Sequence, residues 1–404
     1  MDTGGHRLSS IAPLVLLSLL VFAGARPTAP RVGPAADLDG DASSGIATKP
    51  PNDAVQAAFT KRSYAPGAPA ILQLRGTAPL LRIRLFHAGA GHDGPLQGSP
   101  VGTALTLRRP SSDVALALGS WPSGLYYASI TTPGRGAWYA PFVLRARRLG
   151  AHRVLIVLPT NTWQAYNFED DDSWYENPDV HTVDLTRPFI DGGVPPHYNG
   201  YDRGFVRWLV LNHKQADFVA DDDLERIAAG PKLAHAYDLI KQYRDLGGNL
   251  AFLSANDIFY KVVKQGDRMN GRWRWRDLGR PEAALVGAQY VDWNHDEYPN
   301  RPFIVTGVRQ APWLFAGTGF RNGDTFGVYG IEVDARTNDS PAGTRVLAHI
   351  PGIFGAGKNA EMTYYTTPAG AKVFSAGVMN FGGSALWPVV STMMQNLWKT
   401  LSRP

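Results

Sequence analysis

An α/β domain carried behind a β-sandwich is the architecture this sequence predicts, and three patterns lead to it. Val154-Leu155-Ile156-Val157-Leu158 is an unbroken apolar run, as a parallel strand buried on both faces requires. From there on, helical apolar spacing alternates with short apolar runs, which describes a doubly wound α/β domain over residues 152–404. Residues 57–148 instead alternate apolar and polar at period two between Gly and Pro turns, the pattern of an immunoglobulin- or fibronectin-like sandwich.

At the start of the chain, His6 and Arg7 precede an apolar stretch over 11–23 and the small residues Ala23-Gly24-Ala25. Residues 1–25 therefore read as a signal peptide cleaved near Ala25, and the protein as secreted or extracytoplasmic. The apolar core is about 13 residues, against the ~20 of a spanning helix, and no later segment is longer, so no membrane span remains after cleavage. Residues 26–56, rich in Pro, Ala, Gly and Asp, read as a disordered linker. In the sandwich, Ala70-Ile71-Leu72-Gln73-Leu74-Arg75 and Leu81-Arg82-Ile83-Arg84-Leu85-Phe86 are the clearest strands, and Tyr139-Ala140-Pro141-Phe142-Val143-Leu144 is the last.

In the α/β domain, Phe205, Trp208 and Leu209 mark a helix, and 216–220 a strand. Tyr237, Ile240, Tyr243 and Leu246 mark another helix, stopped by Gly247-Gly248 before a buried strand at 250–254. A strand at 372–378 and a helix through Val389, Met393, Leu397 and Leu401 close the chain. Between the strands at 216–220 and 250–254 lie two helical segments split at Gly230-Pro231, where a crossover normally uses one helix. Either one helix is an insertion or a strand is missing.

Composition narrows the chemistry. The absence of cysteine excludes disulfides, a thiolate nucleophile and thiolate metal sites. The net charge of +5 over 404 residues is small, and Glu169-Asp170-Asp171-Asp172 and Asp221-Asp222-Asp223 interrupt any basic surface, which argues against nucleic acid.

After the first α/β strand, Pro159-Thr160-Asn161-Thr162-Trp163-Gln164-Ala165-Tyr166-Asn167 opens a loop of roughly forty residues, far above the ~2–6 of an ordinary βα connection. Ligands of open α/β sheets bind beyond the carboxyl ends of strands, so this loop, with Tyr166, Glu169, His197, Tyr198 and Tyr201, lies where a site belongs. Packed as an Ω-loop, the same aromatics would be structural. Asn256, at the end of the next buried strand, is placed either to steady an oxyanion or to cap a helix. Asp292-Trp293-Asn294-His295-Asp296-Glu297-Tyr298 gathers carboxylates and a histidine but reads as a surface turn. Ser254 and Ser375 lack the glycine-flanked elbow of a nucleophile, and Ser384 reads as a helix cap. Gly352-Ile353-Phe354-Gly355-Ala356-Gly357-Lys358 is not a phosphate loop, because Asn359 replaces the hydroxyl residue.

Residues 158–167 (LPTNTWQAYN), 187–189 (RPF) and 247–256 (GGNLAFLSAN) resemble the C-terminal domain of the N,N-dimethylformamidase β (large) subunit family. Glu361-Met362-Thr363-Tyr364-Tyr365 and the glycine-rich 380–384 fit the same family, and the similarity covers roughly residues 60–404. The resemblance implies a class I glutamine-amidotransferase-like fold behind a β-sandwich, and hydrolysis of a carbon–nitrogen amide bond at a mononuclear iron held by two tyrosines and a glutamate. It puts Tyr166 as first tyrosine ligand, Tyr198 or Tyr201 as second, Asn256 in the substrate pocket and Glu361 as the base. A small-molecule amide is the implied substrate, and a homo-oligomer is compatible with it.

The family also places a strand ending in Gly-His-x-Glu-Tyr ahead of the helix into Gly247-Gly248, and that strand supplies the glutamate ligand. Here His235-Ala236-Tyr237-Asp238 runs straight into Lys241-Gln242-Tyr243, so the strand is absent from the place where the sequence left two helices in succession. Glu169, His197 or another loop acid would then have to complete a metal site. The alternative implied by this loss is a catalytically inactive relative that binds a surface ligand such as a glycan.

Overall fold

The computed structural model describes residues 14–17, 54–171, 173–175, 177, 179–228 and 236–403. Of the signal peptide expected at 1–25 only Leu14–Leu17 falls among them, and the break at Gly230-Pro231 falls outside. The linker expected at 26–56 is described only from 54, and the strand Val55–Phe59 follows directly.

Two antiparallel sheets form the first part. Val55–Phe59, Pro69–Gly76 and Asp113–Ala117 make one; Leu80–His87, Ser99–Arg108, Gly124–Thr131 and Ala137–Leu144 make the other, joined at its edge by Ser63–Tyr64 running parallel to the last of them. The period-two residues point inward: Ala70, Leu72 and Leu74 from one sheet meet Leu81, Ile83 and Leu85 from the other in a shared core. Each such side chain contributes about 1.5–3 kcal/mol on burial, which is why the alternation fixes the register. Gly124–Thr131 breaks the alternation and is buried almost throughout. The reason is tertiary, since Leu125 and Tyr127 belong to the core of the second part.

That second part is built on a nine-stranded sheet. Its order is Asp217–Ala220, Val154–Leu158, Leu14–Leu17, Leu250–Phe252, Lys372–Ser375, Ala360–Thr366, Arg345–Ile350, Arg301–Val305, Thr325–Tyr329. The first five strands are parallel and the rest antiparallel. Doubly wound thus describes half the sheet; beyond Gln289 the chain returns through tight turns with left-handed glycines such as Gly323, Gly343 and Gly370, and helices there are few. On one face Arg203–Leu211 and Pro388–Leu401 cover Ile156, Ala251 and Phe374. On the other, Asp221–Ala228 and Ala236–Asp245 cover Val157, Leu250 and Val373.

Leu14–Leu17 stands parallel to both its neighbours, with Leu16 opposite Ile156 on one side and Ala251 on the other. The residues between the helices Asp221–Ala228 and Ala236–Asp245 lie outside the described ones, and the middle of the sheet is held by the distant segment Leu14–Leu17. No helix among the described residues is long and apolar enough to cross a membrane.

Candidate active site

The loop after Val154–Leu158 begins with a helix, Thr160–Tyr166, rather than irregular chain. Asp221 accepts the Asn161 backbone N–H at 2.8 Å and so serves as its cap from outside. The buried Arg187 guanidinium then gathers the carbonyls of Gln164, Asn167 and Asp184 at 3.0, 3.1 and 3.1 Å. Asn167 adds bonds to Gln164 Oε1 at 3.1 Å and to the Pro188 carbonyl at 2.8 Å. These contacts hold Tyr166, the last residue of the helix, in one place.

His197, at φ +60°, turns the chain into the helical turn Tyr198–Tyr201. Tyr198 enters the core beside Trp163, ring centroids 6.1 Å apart, and its hydroxyl is buried with no hydrogen-bond partner. Tyr201 goes to the site instead. The His197 ring stacks on Tyr201 at 5.1 Å and presents its face edge-on to Tyr166 at 5.0 Å; Tyr175 stacks on Tyr166 at 4.2 Å. Met379 lies beneath Tyr166, Tyr175 and Tyr201. Gly204, in the helix that follows, packs against the 382–383 segment: a Cβ there would stand 1.9 Å from the Gly383 carbonyl oxygen, so only glycine allows that approach.

The opposite side of the site comes from two other strands. Beyond Leu250–Phe252 the chain turns at Asn256, φ +60°, fully buried. Its Nδ2 donates to Glu332 Oε2 at 2.7 Å, and its backbone N–H donates to Asp334 Oδ1 at 2.7 Å. Glu332 and Asp334 belong to the short strand Glu332–Ala335, and Asp257 is buried on the same turn as Asn256. No helix follows Asn256, so the capping role does not arise.

Burial raises Glu332 well above the usual carboxyl range, only partly offset by the Asn256 hydrogen bond, with Asp334 and Asp292 pushing it further up. Glu332 in turn lies close enough to raise the phenols of Tyr166, Tyr201, Tyr260 and Tyr290, each already pushed up by desolvation. Desolvation lowers His197. Tyr166 and Tyr201 are half-buried and His197 exposed, although their surroundings desolvate all three. Beside Tyr175 the Arg272 guanidinium lies over the rings of Trp174, Tyr175 and Tyr260 at 5.5, 5.5 and 5.4 Å.

Of the residues singled out in the sequence, Tyr166, Tyr201 and Asn256 come together, and Tyr198 does not join them. Glu361 is engaged by Arg336, through its backbone N–H at 3.1 Å and Nε at 3.0 Å, and the carboxylate that meets Asn256 is Glu332. His295, Asp296, Glu297 and Tyr298 are exposed, with Asp292 paired to Lys358. Ser254 donates to the Met379 carbonyl at 2.9 Å, and Ser384 meets the Tyr329 hydroxyl at 2.9 Å instead of capping a helix. Glu332 was missed. The signal available was the alternation Ile331-Glu332-Val333-Asp334, which puts both acids on one face of a strand. Among the described residues no group of three or more His, Asp and Glu side chains is placed to hold a metal ion.

A family profile described as N,N-dimethylformamidase beta subunit-like, C-terminal, matches residues 103–389. No curated protein matches the chain. Among solved structures, a superoxide reductase (neelaredoxin) from Ignicoccus hospitalis, variant E23A, aligns with 23% of this chain and 81% of its own, at 14% identity and TM-score 0.18. A Pseudomonas fluorescens alkylpurine DNA glycosylase bound to DNA with an abasic site analog aligns with 23% of this chain and 31% of its own, at 16% identity and TM-score 0.16. A Paenibacillus cycloisomaltooligosaccharide glucanotransferase aligns with 56% and 34%, at 13% identity and TM-score 0.17. Overlaps this loose say nothing about fold or function.

Proposed function

The chain belongs to the N,N-dimethylformamidase beta subunit-like family, and from that premise we propose that it hydrolyses the carbon–nitrogen bond of a small amide at the site formed by Tyr166, Tyr201, Asn256 and Glu332. The observation that supports this reading most is the buried Asn256–Glu332 pair at 2.7 Å, a carboxyl raised by burial beside an amide donor. Glu332 takes a proton from the attacking water and returns it to the departing amine, the work for which a raised carboxyl is suited. Asn256 uses one Nδ2 hydrogen to hold Glu332, which leaves the second for the oxygen that becomes negative as the carbonyl is attacked. Its Oδ1 is buried without a protein partner.

The donor chemistry of the site fits a hard cation. Tyr166 and Tyr201 offer phenol oxygens, and the Glu332 carboxyl acts on both. In this reading the two tyrosines hold a mononuclear iron, which when bound polarises the amide carbonyl as a Lewis acid. We read residues 152–404 as class I glutamine-amidotransferase-like, on the strength of parallel strands with helices over both faces. We read residues 57–148 as an immunoglobulin-like sandwich, since two sheets share one core.

The test is release of ammonia or dimethylamine from formamide and N,N-dimethylformamide by the full chain supplied with ferric iron. Turnover that Glu332→Gln abolishes supports the assignment. A folded, iron-loaded protein inert toward both amides and toward longer N-alkyl formamides rejects it.

A further inference from the structure

Two acids of one short strand act on a single residue across from them. Glu332 and Asp334 are two positions apart and so face the same way. Asn256 meets both, through its side-chain amide and through its backbone N–H, each at 2.7 Å. Its φ of +60° is a left-handed conformation that strains most L-residues and that Asn tolerates better than most. The strand bearing the acids is anchored in turn, because Asp334 N–H donates to the Gly377 carbonyl at 3.0 Å and Met379 N–H to the Glu332 carbonyl at 3.1 Å. Asp334 thus fixes the turn from which Asn256 reaches Glu332.

The surroundings of Asp334 raise a second question. Asp257 is buried close enough to Asp334 for its backbone N–H and its charge to act on it; neither Asp257 carboxylate oxygen meets a donor, and Asp334 Oδ2 meets none. The charged groups facing the pair are Arg276, already bonded to Glu282 at 3.0 Å, Glu282 itself, and Glu332; Tyr290 and Asp292 stand behind Glu332. Two adjacent carboxylates cannot both stay ionised without donors in such a place. A proton held by one of them removes one of the two charges, and burial raises both acids, Asp334 to about 7.

We propose that Asp334 is a positioning residue for the Asn256–Glu332 pair and that Asp257 carries the proton that keeps Asp334 in place. The kinetic part of this rests on the hydrolase reading; the spectroscopic part does not. Asp334→Ala removes the acceptor for the Asn256 N–H and is expected to cut kcat about 10–100-fold with little change in KM. Asp334→Asn keeps an acceptor and restores most of kcat. It also moves the acid limb of kcat/KM to lower pH, because the Asp334 charge is one of the causes that raise Glu332. Infrared spectra of the full chain at neutral pH should show a protonated carboxyl band that Asp257→Asn reduces and Glu332→Gln leaves partly in place. An unchanged band in folded Asp257→Asn, full kcat in Asp334→Ala, or an unshifted acid limb in Asp334→Asn overturns the proposal. If Asp334→Ala does not fold, the Asp334→Asn profile and the infrared band decide. If the wild type hydrolyses no amide, the hydrolase reading falls while the band still decides the carboxyl pair.

Discussion

Asn256 and Glu332 stand 76 residues apart in sequence and 2.7 Å apart in the fold, one on the turn after a parallel strand and the other on a short strand outside the main sheet. Glu361 was the acid suggested by the sequence, and its partner is Arg336. The two variants therefore separate. Glu332→Gln should lose about 10²–10⁴-fold in kcat, the range for removing a general acid–base group. Glu361→Gln should keep kcat near wild type and lose only what a partly exposed ion pair contributes to stability, about 0–1 kcal/mol. With Glu332 as base, activity falls as pH drops through its raised pKa, so the acid limb of kcat/KM belongs above the ordinary carboxyl range.

Asp202 gives the fold a pH dependence away from the Glu332 end of the site. It is buried, accepts from Trp163 Nε1 at 3.0 Å, and burial carries it up to about 7. A carboxyl raised in the folded state binds its proton more tightly there than in the unfolded chain. Its contribution is fully present below roughly pH 4, the unfolded value, and is lost as pH rises through the folded one. Thermal melts should accordingly fall between about pH 4 and 7. Asp202→Asn keeps an oxygen for Trp163 and should flatten that slope; an unchanged slope removes Asp202 as its source.

Much of the site was legible because it follows from topology. Tyr166 and Asn256 lie just beyond the carboxyl ends of buried strands, which an apolar run reveals. Glu332 was not legible, since an alternation of acid and apolar residues looks the same whether the acids face water or the interior. Tyr198 and Tyr201 share one helical turn, and only the packing of Trp163 against Tyr198 separates their roles. Thr160–Tyr166 escaped detection as a helix because its cap, Asp221, is 60 residues away from Asn161.

The tyrosines make a distinct set of expectations for metal content. Elemental analysis of the full chain exposed to ferric iron should give about one iron per chain, with a visible phenolate-to-iron band, under the reading that Tyr166 and Tyr201 are the ligands. Tyr166→Phe and Tyr201→Phe should each weaken both signals. Tyr198→Phe should leave them intact and, by removing a buried hydroxyl with no partner, should not destabilise the fold. Equal loss in all three variants would refute the assignment of Tyr201 over Tyr198.

The strand Leu14–Leu17 ties the fold to a segment whose composition also reads as a secretory signal. Without it, Val154–Leu158 and Leu250–Phe252 would face each other across a gap two strand spacings wide, roughly 9–10 Å, with the backbone groups of both edges left to find other partners. Leu16 is paired on both sides, so proline there removes a ladder donor in a central strand, where proline is not accommodated. Leu16→Pro in a chain produced without export should therefore lose about 2 kcal/mol or more and melt several degrees lower. Removal of residues 1–25 should destabilise the protein at least as much, and hydrogen exchange should quicken at 154–158 and 250–252 in both cases. A protein lacking 1–25 that melts with the full chain and protects those two strands equally would show that the sheet closes without this segment.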